Sequence, residues 1–186
     1  GDSDNVTVDK MTGKQLFLVV AANATTNIGT IEAKLTSATG DADTVSFELK
    51  GANAGAIADG TILKTTDIET VNIKATSAES ISLASVAMAT AGKTASVVLT
   101  GTAALTVTAS NADINSIDAS GMSTGGSFVQ TGRSATDAVK YTGSAGADTF
   151  IMSRTADVIN GGAGTNDTLT IAKAAILGGL NVDLSA

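Results

Sequence analysis

Three blocks that return at steps of about nine residues constrain the fold of this chain more than any other feature; the first and third are glycine-rich, and the second keeps only the D-x-U half of the pattern. In each block an aspartate is followed two places later by an apolar residue. The pairs are Asp148 with Phe150, Asp157 with Ile159, and Asp167 with Leu169. The first two aspartates are nine residues apart, and the third block has one extra residue, Asn166. This period matches the repeat G-G-x-G-x-D-x-U-x, with U apolar, of stacked β-coils.

The spacing follows from the chemistry of a tight turn that leads into a short strand. The apolar residue lies in the strand and points into the coil, while the glycines permit φ > 0 and expose carbonyl oxygens. The aspartate adds a carboxylate at the rim of the turn. Calcium takes six to eight oxygen ligands at about 2.3–2.6 Å, so one turn cannot complete its coordination shell, whereas two stacked turns can.

Consecutive nine-residue blocks of such a coil alternate sides, so the 143–148 turn is expected to lie against the 161–167 turn. We therefore predict one Ca²⁺ ion between Asp148 and Asp167. The further residues of this predicted site, mostly through carbonyl oxygens, are Gly143, Ala145, Gly162, Gly164 and Asn166. The alternative is an ordinary turn that uses glycine for geometry and aspartate for capping, with no ion.

A weaker fourth copy begins at Gly132 and contains Asp137. It is expected to face the 152–157 turn on the opposite side of the coil, which makes Asp137 and Asp157 a second candidate metal position. Similar acidic turns precede strands near the N-terminus, where aspartates either bind further ions or terminate turns; these are Asp2, Asp4, Asp41 and Asp43. Glu69 and Asp118 are predicted to be solvated rim charges.

Composition excludes several functions. The chain has no histidine and no cysteine, so a zinc hydrolase and a Ser-His-Asp triad are excluded within it. No pair of carboxylates is identifiable as an acid/base couple, and we predict that the chain is not an enzyme. The net charge of −7 opposes binding to nucleic acid or to anionic membrane surfaces. Residues 16–22 are too short to cross a membrane and are predicted to be a buried strand.

Short apolar segments separated by polar turns predict an all-β fold. Apolar residues are 43% of the chain and aromatic residues only 3%, which suits a thin, stacked core. Strands are expected at 5–9, 15–22, 28–36 and 44–50, with Val45, Phe47 and Leu49 on one face. These strands are predicted to form an N-terminal hairpin-type sheet or cap over residues 1–62.

From residue 66 short strands return about every ten residues, so residues 63–186 are predicted to form a right-handed parallel β-helix or β-roll solenoid, with the calcium-binding turns at 132–171. Residues 174–179 are predicted to make one helical turn before a last strand at 180–184. The chain begins at Gly1 without a Sec-type signal, and we expect it to be part of a longer or processed protein.

Several of these segments resemble the RTX-type surface-layer proteins of Gram-negative bacteria, such as those of the Caulobacter and Campylobacter arrays. The resemblance covers most of residues 66–171. It rests on the segments D-I-E-T-V-N-I (67–73), I-D-A-S-G (117–121) and T-G-S-A-G-A-D-T-F (142–150), and on the turn at 157–169. The chain departs from long RTX arrays in having few repeats.

The resemblance implies a structural S-layer component, secreted by a type I system to the cell surface and stabilised by calcium. It implies self-association into a calcium-dependent lattice, anchored to lipopolysaccharide through a region outside this chain. Two alternatives remain open. One is an adhesin or extender module of a type I secreted protein, and the other is the RTX secretion and folding domain of an extracellular enzyme.

Overall fold

The structure is a computed structural model of the 186-residue chain, and it describes eleven segments. They are residues 5–11, 15–21, 29–35, 42–51, 61–76, 80–90, 95–107, 114–124, 127–129, 139–152 and 157–171. Regular secondary structure in these segments consists of β-strands, without a helix. Accordingly, the described part of the chain offers no helix long and apolar enough to span a membrane.

Sixteen strands lie within the described segments. They are β1 (Val6–Met11), β2 (Gln15–Ala21), β3 (Thr30–Leu35), β4 (Thr44–Gly51), β5 (Ile62–Thr66), β6 (Thr70–Ala75), β7 (Ile81–Leu83), β8 (Ser85–Ala89), β9 (Ala95–Gly101), β10 (Leu105–Val107), β11 (Ile114–Met122), β12 (Ser127–Val129), β13 (Lys140–Thr142), β14 (Thr149–Met152), β15 (Val158–Asn160) and β16 (Thr168–Ile171).

The strands form three sheets, in which every recorded pairing is parallel. One sheet has the order β1-β3-β5-β8, the second β16-β14-β12-β10-β7, and the third β15-β13-β11-β9-β6-β4-β2. Any two described strands that follow one another along the chain lie in different sheets. Each strand therefore pairs with strands from an earlier or later pass of the chain.

The core consists of the side chains that point inward from these sheets. In β4 the residues Val45, Phe47 and Leu49 are fully buried, and Ser46 and Glu48 between them are only partly buried. This is the period-2 alternation of a strand with one face on a core. Phe47 lies in register with Ile73 of β6, which in turn lies beside Leu99 of β9. The apolar residues thus form rows that run across the strands.

These observations confirm the all-β prediction and the shared buried face of Val45, Phe47 and Leu49. Strands β5 and β8 were not predicted. The expected N-terminal hairpins are wrong, because β1 pairs in parallel with β3, and β2 pairs in parallel with β4. The division at residue 62 and the right-handed β-helix or β-roll winding of residues 63–186 remain predictions. The helical turn and strand expected at 174–184 lie outside the described residues.

The prediction that residues 16–22 form a buried strand is wrong for one face of β2. Leu16 and Leu18 are 66% and 61% exposed, whereas Val19 is buried. Strand β2 is the terminal described strand of the seven-stranded sheet, in which it pairs with β4. A run of apolar residues was compatible with burial on both faces, but here only the inner face is covered.

Candidate metal centre

Two glycine-rich turns lie against each other where neighbouring strands end. The 143–148 turn joins β13 to β14, and the 161–167 turn joins β15 to β16. Because β13 pairs with β15 and β14 pairs with β16, the two turns are stacked. The amide of Ala163 donates to the carbonyl of Ser144 at 3.0 Å, and the amide of Thr168 donates to the carbonyl of Asp148 at 2.8 Å. The expected contact between the two turns is confirmed.

The Asp148 carboxylate is buried in its own turn, with 1% of the residue exposed. Its Oδ2 accepts a hydrogen bond from the amide of Ser144 at 2.7 Å, and the Ser144 hydroxyl lies 2.9 and 3.0 Å from the two carboxylate oxygens. The Ser144 hydroxyl oxygen also accepts from the amide of Gly146 at 3.0 Å. These contacts close the turn and fix the position of the carboxylate.

The Asp167 carboxylate links the two turns. Its Oδ1 accepts a hydrogen bond from the amide of Asp148 at 2.9 Å, although the two residues are 19 positions apart in the chain. Asp167 is partly exposed, in contrast to Asp148. The second turn therefore places a carboxylate against the backbone of the first turn, close to the residue that carries the other carboxylate.

The glycines of the two turns are required by this close approach. A Cβ atom at Gly143 would meet the carbonyl oxygen of Gly161 and would lie 2.8 Å from Asp148 Oδ2. A Cβ atom at Gly164 would meet the carbonyl oxygen of Gly146 and lie 3.3 Å from Asp167 Oδ1. Backbone and carboxylate oxygens of both turns thus surround the small spaces that the missing side chains leave.

Two residues of the second turn adopt left-handed backbone conformations. Gly162 has φ of 90°, and Asn166, the extra residue of the third block, has φ of 72°. Glycine adopts this region without steric cost, and asparagine is one of the few other residues that visits it readily. The left-handed Asn166 accommodates the longer turn while Asp167 keeps its place before β16.

These residues fit a calcium ion by the chemistry of their donors. Asp148 and Asp167 supply two carboxylates, and the turns supply neutral carbonyl oxygens, which are the ligands that calcium prefers. The described residues include no group of three or more acidic, histidine or cysteine side chains placed to hold a metal. An ion here would therefore depend on carbonyl oxygens. Both carboxylates also accept backbone hydrogen bonds, as the capping alternative requires.

The other members of the predicted site lie in the same two turns. Gly143 is buried, Gly162 and Gly164 are partly buried, and Ala145 and Asn166 are exposed. The amide of Ala145 donates to the carbonyl of Met122 at 3.1 Å, which stacks the first turn on the end of β11. The carbonyl oxygens of these residues remain predicted ligands.

The second candidate metal position is described only in part. Asp157 is buried, with 4% exposed, and its Oδ1 accepts from the amide of Val139 at 3.1 Å. The carbonyl of Val139 in turn accepts from the amide of Val158 at 2.9 Å. Asp157 therefore contacts the end of the segment that contains Asp137, as the stacking prediction requires. Asp137 itself lies outside the described residues.

The structure corrects the prediction for Glu69, which is buried rather than solvated. Only 7% of Glu69 is exposed, and its Oε2 accepts from the amide of Asp43 at 2.9 Å. It therefore joins the turn before β6 to the turn before β4. Asp118 is partly exposed and caps the amide of Ser120 at 2.9 Å. Asp2, Asp4 and Asp41 lie outside the described residues.

Sequence reasoning missed Ser144, whose amide and hydroxyl both bind the Asp148 carboxylate. Ser144 stands where the repeat has its second glycine, the position of Gly162 in the third block, so the repeat gives no signal for a hydroxyl there. A hydroxyl residue four places before the aspartate was the available clue, because serine side chains commonly bond to nearby turn groups.

Comparisons with protein-family models, with characterised sequences and with solved structures found no match to this chain. The class of protein is therefore stated from the fold and the site. It is an all-β protein of parallel sheets, in which two stacked glycine- and aspartate-containing turns join the strands nearest the C-terminus of the described chain.

Proposed function

We propose that the chain is a calcium-stabilised structural protein of the bacterial cell surface, an S-layer component that winds as a right-handed parallel β-helix. The observation that supports it most is the hydrogen bond from the Asp148 amide to Asp167 Oδ1, because it joins two acidic turns that begin 18 residues apart, at Gly143 and Gly161, which is two steps of the nine-residue repeat. The alternation of consecutive strands between parallel sheets supports the winding.

Calcium would be held between the 143–148 and 161–167 turns, with Asp148 and Asp167 as its charged ligands. When bound, the ion would balance the charges of these two carboxylates. The residues of the chain hold the site open: Ser144 positions Asp148, and the glycines let the two backbones approach. The proposed role of the ion is to stabilise the fold and, through the folded chain, its assembly into a lattice.

This arrangement makes folding responsive to the calcium concentration. An ion that binds only the folded chain stabilises it by RT ln(1 + [L]/Kd), about 2.7 kcal/mol at a hundredfold excess over Kd. Inside a cell, where free calcium is scarce, the turns would lack this contribution, and outside the cell they would gain it. Such gating suits a protein exported by a type I system and assembled into a lattice at the surface.

The experiment is thermal unfolding followed by circular dichroism in calcium, in magnesium and in EGTA. Asp167→Asn removes the charge and keeps an oxygen that accepts from the Asp148 amide, so it isolates the contribution of the carboxylate. The matched control is Asp118→Asn, which likewise keeps its cap on Ser120. We expect calcium to raise the melting temperature of the wild type and of the control, and Asp167→Asn to lose most of that increase.

An equal melting temperature of the wild-type chain in calcium and in EGTA would count against the calcium site and the folding mechanism together. Electron microscopy of the purified chain tests the assembly. Ordered two-dimensional sheets that form in calcium and dissolve in EGTA are expected for an S-layer component. A chain that binds calcium and stays dispersed at every concentration would instead be the adhesin, extender or secretion domain.

A further inference from the structure

The two stacked turns hold their aspartates in different ways. Asp148 is 1% exposed, and its Oδ2 accepts from the amide of Ser144 at 2.7 Å and lies 2.9 Å from the Ser144 hydroxyl. Asp167 is partly exposed, and its Oδ1 accepts from the amide of Asp148 in the facing turn. The first carboxylate is therefore bound within its own turn, whereas the second reaches across to the other turn.

This difference goes back to one position of the repeat. Ser144 stands 18 residues before Gly162, so the two residues occupy the same place in their turns. Gly162 has no hydroxyl, and its amide donates to Asn160 Oδ1 at 2.9 Å rather than to Asp167. Neither of the donors that Ser144 gives to Asp148 therefore has a counterpart at Asp167.

The network around Ser144 directs its hydroxyl proton at the Asp148 carboxylate. The amide of Gly146 donates to Ser144 Oγ at 3.0 Å. A serine hydroxyl has a single proton, and here an amide already uses an acceptor position of the oxygen, so the proton is left for the carboxylate. Ser144 is 1% exposed, so the hydroxyl is not shared with bulk solvent. Asp148 thus receives a fixed donor from its own turn.

We propose that Ser144 competes with calcium for the Asp148 carboxylate and thereby lowers the affinity of the proposed calcium site, on which this inference rests. A hydrogen-bond donor and a cation use the same lone pairs of a carboxylate. Calcium gains full access to Asp148 only after the Ser144 hydroxyl turns away. Among the described residues Asp167 Oδ2 has no hydrogen-bond donor, so it is the oxygen that the ion meets first.

The competition gives the two turns different dependence on the ion. The first turn is closed by Ser144 in any solution, whereas the second turn has no such internal donor for Asp167. A lowered affinity suits a site that fills only where calcium is abundant. Extracellular calcium modules bind with Kd of about 10⁻⁴–10⁻³ M, and the number of available charged ligands is one of the factors that set this value.

The test is calorimetry of calcium binding to the whole chain, together with thermal unfolding in EGTA. We expect Ser144→Ala to bind calcium about tenfold more tightly, since a hydrogen bond to a charged group contributes roughly that factor. The same variant should melt at a lower temperature than the wild type in EGTA. A purely structural contact would not give tighter binding when it is removed.

The matched control is Ser46→Ala, on β4. It removes a partly buried hydroxyl that accepts from Asn72 Nδ2 at 3.4 Å, and the strands β6, β9 and β11 separate it from β13 in the sheet. Its calcium affinity should equal that of the wild type. A control that also binds calcium more tightly would show that the change at Ser144 acts through general loosening of the fold, and would overturn the proposal.

A second measurement leaves Ser144 in place and compares the two aspartates. Asp148→Asn should weaken calcium binding less than Asp167→Asn does, because Ser144 already occupies Asp148. In the Ser144→Ala background Asp148→Asn should weaken binding more than it does in the wild type, so the two changes are not additive. This comparison decides the proposal even where Ser144→Ala unfolds in EGTA.

The outcomes separate this inference from the calcium site itself. An unchanged or weaker calcium affinity of Ser144→Ala, or equal losses for Asp148→Asn and Asp167→Asn, overturns the competition and leaves the calcium site standing. A wild type without any calcium response overturns the proposed function. In that case a calcium response that appears in Ser144→Ala supports the competition, and its absence there overturns the competition as well.

Discussion

The middle of the chain and its last described strands share one pattern of parallel pairing, but different interactions hold them. In the middle, Phe47, Ile73 and Leu99 form a row of fully buried side chains across three neighbouring strands. In the last strands, Phe150 pairs with Leu169, which is only partly buried. Apolar burial therefore decreases towards β16.

The contacts between the turns that follow β9, β13 and β15 show the opposite trend, because carboxylates take part in them only towards β16. The turn after β9 stacks on Ala75 through the amides of Thr102 and Ala103, using uncharged residues. The turns after β13 and β15 add two carboxylates, of which Asp148 is buried and Asp167 bridges to the neighbouring turn. Where fewer apolar side chains are buried, hydrogen bonds between the turns provide more of the contact between neighbouring passes of the chain. The same topology can thus be stabilised from its interior or from its rim.

The largest expected effect is on the free energy of unfolding, and it is tested by removing one phenylalanine from each of the two regions. Phe47→Ala and Phe150→Ala each remove a ring that is at most 1% exposed, which typically costs about 3–5 kcal/mol. The loss for Phe47→Ala should be the same in calcium and in EGTA. Phe150→Ala should also reduce the stabilisation by calcium, because Phe150 follows the 143–148 turn and packs beside Tyr141 at 6.0 Å.

Urea unfolding of both variants, in calcium and in EGTA, provides the measurement. If Phe47→Ala reduces the calcium response as much as Phe150→Ala does, the two regions form one cooperative unit and the distinction between them is wrong. The wild type in both solutions is the reference for the calcium response.

A smaller effect is expected when the two acidic turns are forced apart. A Cβ atom at Gly164 would collide with the carbonyl of Gly146 in the facing turn. We expect Gly164→Ala to destabilise the chain by about 1–3 kcal/mol, as overpacking usually does. It should also weaken calcium binding, which calorimetry measures directly.

The matched control is Gly121→Ala, near the end of β11, where a Cβ atom would meet no carboxylate among its nearest neighbours. A Cβ atom there would lie 2.7 Å from the Cγ2 atom of Thr100, a side chain, rather than against a facing backbone carbonyl at that distance. Its cost should be under about 1 kcal/mol, the range of most changes away from a core. A calcium affinity that stays unchanged in Gly164→Ala would show that the stacked turns do not form the site.

Features that repeat along the sequence could be predicted, and features that depend on stacking could not. The period-2 pattern of Val45, Phe47 and Leu49 predicted their buried face, and the nine-residue period predicted that the 143–148 and 161–167 turns meet. Strands β5 and β8 were missed because Ile62–Thr66 and Ser85–Ala89 contain Lys, Thr, Ala and Met without a clear strand signal. Their pairing with each other and with β3 determines their conformation.

The surroundings of single residues were hardest to predict. Glu69 was expected in solvent, but the turn of Asp43 from the preceding pass of the chain covers it. Leu16 and Leu18 were expected in the core, but only one face of β2 is covered. In both cases the local pattern gives the strand and its two faces. For Glu69 the covering turn lies 26 positions away in the chain, and for β2 the paired residues of β4 lie 30 positions away, so no local pattern shows what is covered.

The smallest expected effect concerns an ion pair on the outer face of the four-stranded sheet. Glu32 Oε1 lies 2.9 Å from Lys64 Nζ, and Oε2 lies 3.5 Å from Lys34 Nζ. The hydrogen bond from Lys64 is the main cause that lowers the pKa of Glu32 below its ordinary value of 4.5. A lowered folded-state pKa gives stability that is present above the unfolded-state pKa and is lost as the pH falls through the folded-state pKa.

Glu32→Gln should therefore destabilise the chain by less than about 1 kcal/mol at pH 7, because both lysines are substantially exposed and solvent screens the pair. The difference from the wild type should shrink as the pH falls below about 4.5, when Glu32 takes up its proton. Urea unfolding in EGTA at pH 7 and at pH 3 measures it without the contribution of calcium. A difference that grows in acid would mean that the folded chain stabilises the protonated form of Glu32, which contradicts the lowered pKa.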